Sequence, residues 1–466
     1  MRNLFFFFQS GATNLAAYIL ILASCLLLGL LCVYVPIDLP LDMRELSMLV
    51  LLTTAAMMPF NLATIRRRLD IFEPIYFVAL LTFVYFVVTP IALTYREEGF
   101  IFLGVNHRPE LSATLFVALV GLLGFYIGYF LECRFFQPST RRATTADPRS
   151  IRSFVLFGSV ITTILVCLWI QIGNFPLRAL NVFDERTYYT EWRHISESSI
   201  GYLYAARFSY LPLLILSLAY RKTKTPSALW ITGFIIIGGL YVIMGVRIAP
   251  LTLLMATSIY LYLERGVRPR MWHVVCAVLF FFFFHGVVGM LRRPGEIYDP
   301  LLSWENNWDA FLAGNSLVLG LSQVVFIYPN YIPFQLGSIL LSALLLPMPR
   351  ILWPSKPSGV VAAQIDSVLF DHYTPPLIGS WYADFGIAGS LTVMILLGVI
   401  CAKVYRMWQV NSCEPSMRVL LAVTFSSLLM IYTRDTVQAI SWSAYLIGPV
   451  LIARYLGIRQ YKTKLS

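Results

Sequence analysis

Residues 111–132 read LSATLFVALVGLLGFYIGYFLE, and Glu132 at the end is the only charged side chain among them. A helix needs about twenty apolar residues to cross the roughly 30 Å hydrocarbon core of a bilayer, so this stretch predicts a membrane span. The same pattern recurs along all 466 residues, of which 58% are hydrophobic and 13% charged, with a mean hydropathy of +0.73. Because a soluble domain carries about 25% charged residues, the sequence predicts an all-α polytopic integral membrane protein. Residues 1–466 are expected to form a single membrane-embedded domain.

Windows of this kind, counted outward from 111–132, give twelve predicted spans. They are 14–35, 46–62, 74–95, 111–132, 152–172, 200–219, 228–245, 248–264, 271–290, 383–404, 417–433 and 437–456. A further apolar pair, 310–327 and 332–349, is separated only by Tyr328-Pro329-Asn330-Tyr331. Its members either both cross or both enter and return, because the segments on either side must face the same compartment. The prediction is therefore 12 to 14 transmembrane helices.

Basic residues fall in alternate loops, for example Arg66-Arg67-Arg68 and Arg141-Arg142. Such clusters mark the cytoplasmic side, so both termini are predicted to be cytoplasmic. The net charge of +11 is then explained by topology, and no nucleic-acid partner is expected. The absence of a GxxxxGK[ST] phosphate loop disfavours an ATP-driven pump. The seven cysteines have no metal-like spacing and no Asp-x-Asp pair occurs, so neither a metal site nor a cofactor is expected.

The four longest irregular stretches, 96–110, 173–199, 291–309 and 350–382, lie on the predicted outer side and are expected to form the active face. Arg207 lies seven residues into the span 200–219, about 10 Å below that surface at 1.5 Å per residue. A charge at the centre of a bilayer costs about 2.5–3.5 kcal/mol on insertion scales. Arg207 therefore lines a polar cavity, pairs with an acid, or extends to the outer headgroups.

Further candidates lie on the same predicted side. Arg247 is at the tip of a tight helical hairpin, where extension to the headgroups is the alternative. His285 and Arg292 are seven residues apart and share a helix face, although a lone His on an apolar helix is more often a hydrogen-bonded core residue. The loop that contains Arg186 and His194 mixes acids and aromatics, which suits either a glycan or a membrane interface.

Three more candidates lie in the later part of the chain. Lys356, the only predicted outer lysine, lies in the proline-rich stretch 347–357. Asp384 opens the predicted span 383–404, where it could also be a helix cap, and Arg434 pairs with Asp435 if it has no other role. Nearly all outer cations are Arg, whose planar fork suits bidentate phosphate recognition. The sequence thus predicts an outward-facing cavity for a phosphate or pyrophosphate headgroup that carries sugar.

Four segments resemble the bacterial oligosaccharide repeat-unit polymerases, the Wzy-type O-antigen and capsule polymerases. They are Asp184-Glu185-Arg186, Gly245-Val246-Arg247, Pro349-Arg350-Ile351-Leu352-Trp353-Pro354-Ser355-Lys356-Pro357, and Tyr382-Ala383-Asp384-Phe385-Gly386-Ile387-Ala388-Gly389. The resemblance covers about residues 174–405. It implies a GT-C-like enzyme of the bacterial inner membrane that polymerises undecaprenyl-pyrophosphate-linked oligosaccharide repeat units at the periplasmic face. Membrane lipid, a chain-length regulator and a flippase of the same pathway are the implied partners.

The resemblance also implies residue roles. Arg207, Arg247, Arg292 and Lys356 are assigned to the pyrophosphate, with Arg186 and Arg434 as further candidates. The general base is one of His194, His285 and Asp384, with Asp384 favoured because it lies near the Lys356 segment. Two alternatives stay open, namely an O-antigen ligase or another lipid-linked glycosyltransferase, and a lipid-linked-oligosaccharide flippase.

Overall fold

Apolar helices account for nearly all of the residues that the computed structural model describes. These residues are 41–66, 70, 72–95, 99–102, 105–135, 147–172, 206–221, 227–243, 248–266, 317–345, 361–369, 374–410 and 414–465. The predicted spans 14–35 and 271–290 lie outside them.

Fourteen α-helices are described, with one π-helical turn, Val84–Val88, between the second and third. They are α1 (Met43–Arg66), α2 (Pro74–Phe83), α3 (Thr89–Thr94), α4 (Leu111–Phe135), α5 (Pro148–Ile172), α6 (Tyr210–Ala219), α7 (Ala228–Ile243), α8 (Ile248–Arg265), α9 (Leu317–Ile327), α10 (Ser338–Leu344), α11 (Val361–Leu369), α12 (Leu377–Val410), α13 (Pro415–Tyr432) and α14 (Thr436–Leu465). Two short strands, β1 (Ile101–Phe102) and β2 (Val105–Asn106), pair antiparallel as a hairpin before α4.

Seven segments of the described chain are long and apolar enough to cross a membrane. They are Met43–Ala63, Pro74–Thr94, Arg108–Glu132, Pro148–Leu168, Leu377–Gln409, Pro415–Tyr432 and Thr436–Ile458. Each corresponds to one of the predicted spans, so the prediction of a polytopic, mainly α-helical membrane protein is confirmed. The total of 12 to 14 and the GT-C-like arrangement stay predictions.

Polar contacts join loops and helix ends at two opposite ends of the helix bundle. At one end Arg418 pairs with Glu264, and Tyr405 donates to Asp70 over 2.7 Å. The other end carries the β1–β2 hairpin, and there Thr436 donates its backbone N–H to Ser380 Oγ over 3.2 Å. We call these the basic end and the hairpin end. In the predicted alternation of loops the hairpin end would face the outer side, and this orientation stays a prediction.

Helices α4 and α12 form the tightest pair because glycines face the partner backbone. A Cβ atom on Gly128 would lie 2.0 Å from the carbonyl oxygen of Ile395, and one on Gly398 would lie 2.3 Å from that of Phe125. Such close approach is typical of membrane helices, because in lipid their association is driven by van der Waals packing and not by the hydrophobic effect. The pair therefore forms a rigid support for the hairpin end.

Helix α12 reverses direction at Phe385 and Gly386, whose backbone angles are not helical (φ 65°, ψ −148° at Gly386). Ser390 donates its hydroxyl to the carbonyl of Ile378 over 2.9 Å, although twelve residues of straight helix would separate them by about 18 Å. Residues 377–384 and 387–410 therefore lie side by side and antiparallel. The predicted span 383–404 begins only after this reversal.

The apolar pair 310–349 turns at the hairpin end. Helix α9 runs in the same direction as residues 374–384, since Gly320 faces the Thr374 carbonyl and Gly379 faces Leu321. The loop 328–337 then lies against the reversal, where Leu336 donates its N–H to the carbonyl of Asp384 over 3.0 Å. The described parts of α9 and α10 are about 16 Å and 10 Å long. The turn between the two members of the pair thus lies at the hairpin end, and the number of times that 310–349 crosses the membrane stays a prediction.

Candidate functional site

Arg207 lies in a 3₁₀ turn, Arg207–Ser209, directly before α6, and none of its surface is exposed. Its guanidinium carbon lies 4.9 Å from the ring centroid of Phe208, and the turn packs against α14. A charge taken out of water is costly unless its surroundings compensate. The fold therefore encloses a positive charge at the hairpin end of the bundle.

Arg434 lies close to this buried cation although it is more than two hundred residues away in sequence. The rings of Phe208 and Trp442 are 4.9 Å apart, and the Arg434 guanidinium lies 5.4 Å from the centroid of Trp442. Arg434 also donates to the hydroxyl of Thr374 over 3.2 Å. We call Arg207, Phe208, Thr374, Arg434 and Trp442 the arginine cluster.

Buried polar groups surround the arginine cluster. Asp435 accepts the backbone N–H of Gln438 over 2.7 Å and so caps α14, while Ser380 accepts the N–H of Thr436. Asp435, Thr436 and Ser380 are each at most 1% exposed. Because water is excluded, an anion beside the two guanidinium groups would be held more strongly than at an exposed surface.

Asp384 lies immediately before the reversal of α12, in the short helical segment 377–384. The sequence expectation placed it in the first turn of a span, and this was wrong because hydropathy does not register the reversal. It is 1% exposed, and its two carboxylate oxygens accept the N–H groups of Ile339 (3.2 Å) and Leu340 (3.1 Å). Asp384 thus caps α10, a helix other than its own.

Amide and hydroxyl groups extend this polar region along the loop 328–337. The buried Tyr328 donates its hydroxyl to Gln364, and Gln364 donates to Gln335 over 3.2 Å. Gln335 in turn donates its backbone N–H to the carbonyl of Ala383 over 2.9 Å. No pattern in the sequence distinguishes these residues or Trp442, because their significance arises from neighbours distant in the chain.

The model of the family described as Putative O-antigen polymerase matches residues 70–433. The chain belongs to this O-antigen polymerase family. The match confirms the family that the four sequence segments resembled, and with the spans it makes the protein a multi-pass membrane protein of polysaccharide biosynthesis. No curated protein and no solved structure matches the chain.

Arg207, Thr374 and Asp384 lie within the residues matched by the O-antigen polymerase family, and Arg434 directly follows the last of them. The structure thus brings together two of the six predicted pyrophosphate ligands. The remaining sequence candidates lie outside the described residues: Arg186, Arg247, Arg292, Lys356, His194 and His285.

No group of three or more His, Cys, Asp or Glu side chains that could hold a metal ion occurs within the described part of this O-antigen polymerase family member. The absence of a metal and of a cofactor stays a prediction. The cationic groups that the structure does place at the hairpin end are guanidinium groups.

Proposed function

We propose that the protein transfers a growing glycan from undecaprenyl pyrophosphate to the non-reducing end of an incoming lipid-linked repeat unit, at the periplasmic face of the bacterial inner membrane. The products are O-antigen, capsule or exopolysaccharide chains. The observation that supports this most directly is the arginine cluster at the hairpin end. In it the fully buried Arg207 lies against Phe208, the half-buried Arg434 lies against Trp442, and the two rings pack together.

The donor glycan is already activated by its pyrophosphate, so the main task of the enzyme is to stabilise the leaving group. A hydroxyl oxygen of the acceptor sugar attacks the anomeric carbon of the donor, and the bond from that carbon to the pyrophosphate oxygen breaks. Undecaprenyl pyrophosphate leaves with the bonding electrons, and the hydroxyl proton passes to a base. Guanidinium groups fixed in a water-excluded site stabilise the charge that develops on the pyrophosphate.

The general base in this proposal is His194 or His285. Asp384 is not assigned to this step, since both of its carboxylate oxygens accept backbone N–H groups of α10. A base must lie within hydrogen-bond reach of the proton that it removes. In the proposal Asp384 acts instead as a positioning residue, which holds α10 and the loop 328–337 beside the arginine cluster.

The hairpin end is assigned to the periplasm because the basic loops are assigned to the cytoplasm. Basic residues of this kind, Arg418 and Arg454, pair with buried acids at the basic end. In this orientation the polymerase receives repeat units that a flippase has already delivered, and a chain-length regulator of the same pathway acts on the same face.

The proposal is tested on a gel of surface polysaccharide from a deletion strain complemented with wild type, Arg434→Ala or Arg434→Lys. Loss of one preorganised cationic group is expected to lower kcat by about 100-fold. Lys keeps the charge but lacks the bidentate fork, so the activity of Arg434→Lys is expected to lie between that of wild type and that of Arg434→Ala. Arg265→Ala is the matched control, because Arg265 is exposed at the basic end.

If the protein is a polymerase, the ladder of polysaccharide bands should collapse to a single repeat unit in the deletion strain and in Arg434→Ala. The full ladder should return with wild type and with Arg265→Ala. Loss of every repeat-bearing band, with lipid-linked polymer accumulating outside, would instead identify a ligase. Lipid-linked repeats trapped inside would identify a flippase. Protein abundance and gel filtration in detergent show whether each variant is folded.

A further inference from the structure

His107 directly follows the β1–β2 hairpin and is buried, with none of its surface exposed. Its backbone N–H donates to the carbonyl of Phe100 over 2.9 Å, and its ring stands edge-on to Phe326 of α9, at 5.7 Å and 84°. Neither Nδ1 nor Nε2 has a hydrogen-bond partner. Two unpartnered ring nitrogens are unusual in a native protein interior, where buried polar groups are nearly always hydrogen-bonded.

Glu110, three residues later, also has a buried side-chain atom without a hydrogen-bond partner. Residues Arg108–Glu110 form a 3₁₀ turn, and side chains three residues apart are eclipsed in this geometry. The Oε2 atom of Glu110 is buried and has no partner, whereas the residue as a whole is half-buried. His107 and Glu110 therefore present unused hydrogen-bonding atoms on one side of the turn, and Glu110 lies nearer the surface.

The chemistry of this pair fits a neutral, hydroxyl-bearing ligand. Burial lowers the pKa of His107, so its ring is neutral at pH 7, with one nitrogen as donor and the other as acceptor. The carboxylate of Glu110 supplies further acceptors and disfavours an anionic ligand. A sugar hydroxyl both donates and accepts, as these groups require.

Aromatic side chains connect the pair to the surface. Phe326 contacts Tyr331 with ring centroids 5.0 Å apart, and Tyr331 is 60% exposed. Aromatic rings offer an apolar face beside polar groups, the combination that a sugar ring needs. His107, Phe326 and Tyr331 thus form a row of contacting rings at the hairpin end, which begins at the buried histidine and ends at an exposed side chain.

We propose that His107 and Glu110, approached along Tyr331 and Phe326, form a subsite for a neutral sugar of the acceptor repeat unit. This inference rests on the proposed function and extends it. The subsite and the arginine cluster lie on different sides of α9, because Ser322 and Phe326 face α4 and His107 whereas Gly320 faces Thr374. A sugar bound there is remote from the reacting bond, so its loss should raise KM more than it lowers kcat.

The test uses the full-length protein in nanodiscs with a purified lipid-linked repeat unit, and measures polymer formation and Tm. His107→Phe keeps the aromatic ring and removes both nitrogens. We expect its KM for the repeat unit to rise about tenfold or more with kcat within about twofold, and its Tm to increase because two unsatisfied buried groups are gone. His107→Gln, which keeps a donor and an acceptor, should recover part of the affinity. Glu110→Gln should raise KM by a smaller factor.

Thr257→Val is the matched control, since Thr257 Oγ1 is also buried without a partner but lies in α8. Its Tm should rise while its KM stays at the wild-type value. A His107→Phe protein with raised Tm and wild-type KM would overturn the subsite and leave the polymerase intact. If the wild-type protein forms no polymer from the repeat unit, the proposed function itself fails.

Discussion

Replacement of Asp384 separates a positioning role from a catalytic one. Its carboxylate accepts the N–H groups of Ile339 and Leu340 over 3.2 and 3.1 Å, and the side chain is buried. Asp384→Asn keeps the shape and one accepting oxygen, since Asn caps helices nearly as well as Asp. Asp384→Ala removes both acceptors. An amide cannot take a proton, so only a general base would lose its function in the Asn variant.

The magnitudes follow from these two hydrogen bonds. Replacing a helix-capping side chain by Ala costs about 0.5–2 kcal/mol where water can substitute, and hydrogen bonds to a charged group contribute about 1.5–3 kcal/mol each. Because Asp384 is shielded from water, we expect Asp384→Ala to lose about 3 kcal/mol of folding stability. Asp384→Asn keeps one bond and should lose about 1–2 kcal/mol. Its polymerisation rate should stay within about tenfold of wild type, whereas loss of a general base costs about 10²–10⁴-fold.

The assay combines a thermal melt in detergent with polymer formation from the lipid-linked repeat unit at a temperature at which every variant is folded. Asp147→Asn and Asp147→Ala are matched controls, because Asp147 accepts from Arg149 (3.3 Å) and Ser150 (3.0 Å) at the start of α5, at the basic end. These controls should shift Tm without changing activity. A stable but inactive Asp384→Asn protein would refute the positioning role and restore Asp384 as the base.

Three further predictions follow from other parts of the structure. Gly386→Ala should destabilise the protein by about 1–3 kcal/mol, because φ is 65° and ψ is −148° there; a Tm equal to wild type would contradict this. The folded-state pKa of His107 is lowered by burial, so below about pH 6.5 the unfolded chain binds a proton that the folded protein does not, and the protein loses stability as the pH falls. Melts at pH 7.5 and 5.5 should therefore differ more in wild type than in His107→Phe, and equal differences would argue against burial of the neutral ring. Arg418→Ala removes the cation that pairs with the buried Glu264 carboxylate and should lower folding stability by about 3–5 kcal/mol. The fraction of the variant that folds should still make polysaccharide chains of normal length. A changed length distribution would count against a purely structural role for this pair.

Most of the membrane-spanning helices could be predicted from composition alone. The run 111–132 became α4 and the run 417–433 became α13 within a few residues, whereas α14 begins one residue before the run 437–456 and extends nine residues beyond it, to Leu465. Two expectations for the fold were wrong: the start of the span 383–404, and the irregular stretch 350–382, which contains α11 and the first residues of α12. A hydropathy window averages over residues and carries no information on chain direction, so the reversal at Phe385 and Gly386 was invisible to it.

The candidate site was only partly predictable. Arg207 and Arg434 were recognisable as cations in or beside predicted spans, where charges are costly. Trp442, which contacts Arg434 and Phe208, looked like any apolar residue of a span. His107 was equally inconspicuous, because its unusual feature is the absence of hydrogen-bond partners, which depends on what the rest of the chain places around it.

The sequence by itself determined that this protein lies in a membrane, where most of its helices begin and end, and which family it belongs to. These properties depend on local composition, because the free energy of transferring about twenty consecutive residues into hydrocarbon is set by those residues alone. Only the tertiary structure decided that α12 doubles back, that Asp384 caps α10 and that the packed rings of Phe208 and Trp442 connect two distant arginines. Each of these depends on contacts between residues far apart in the chain, whose energies arise only when the helices pack.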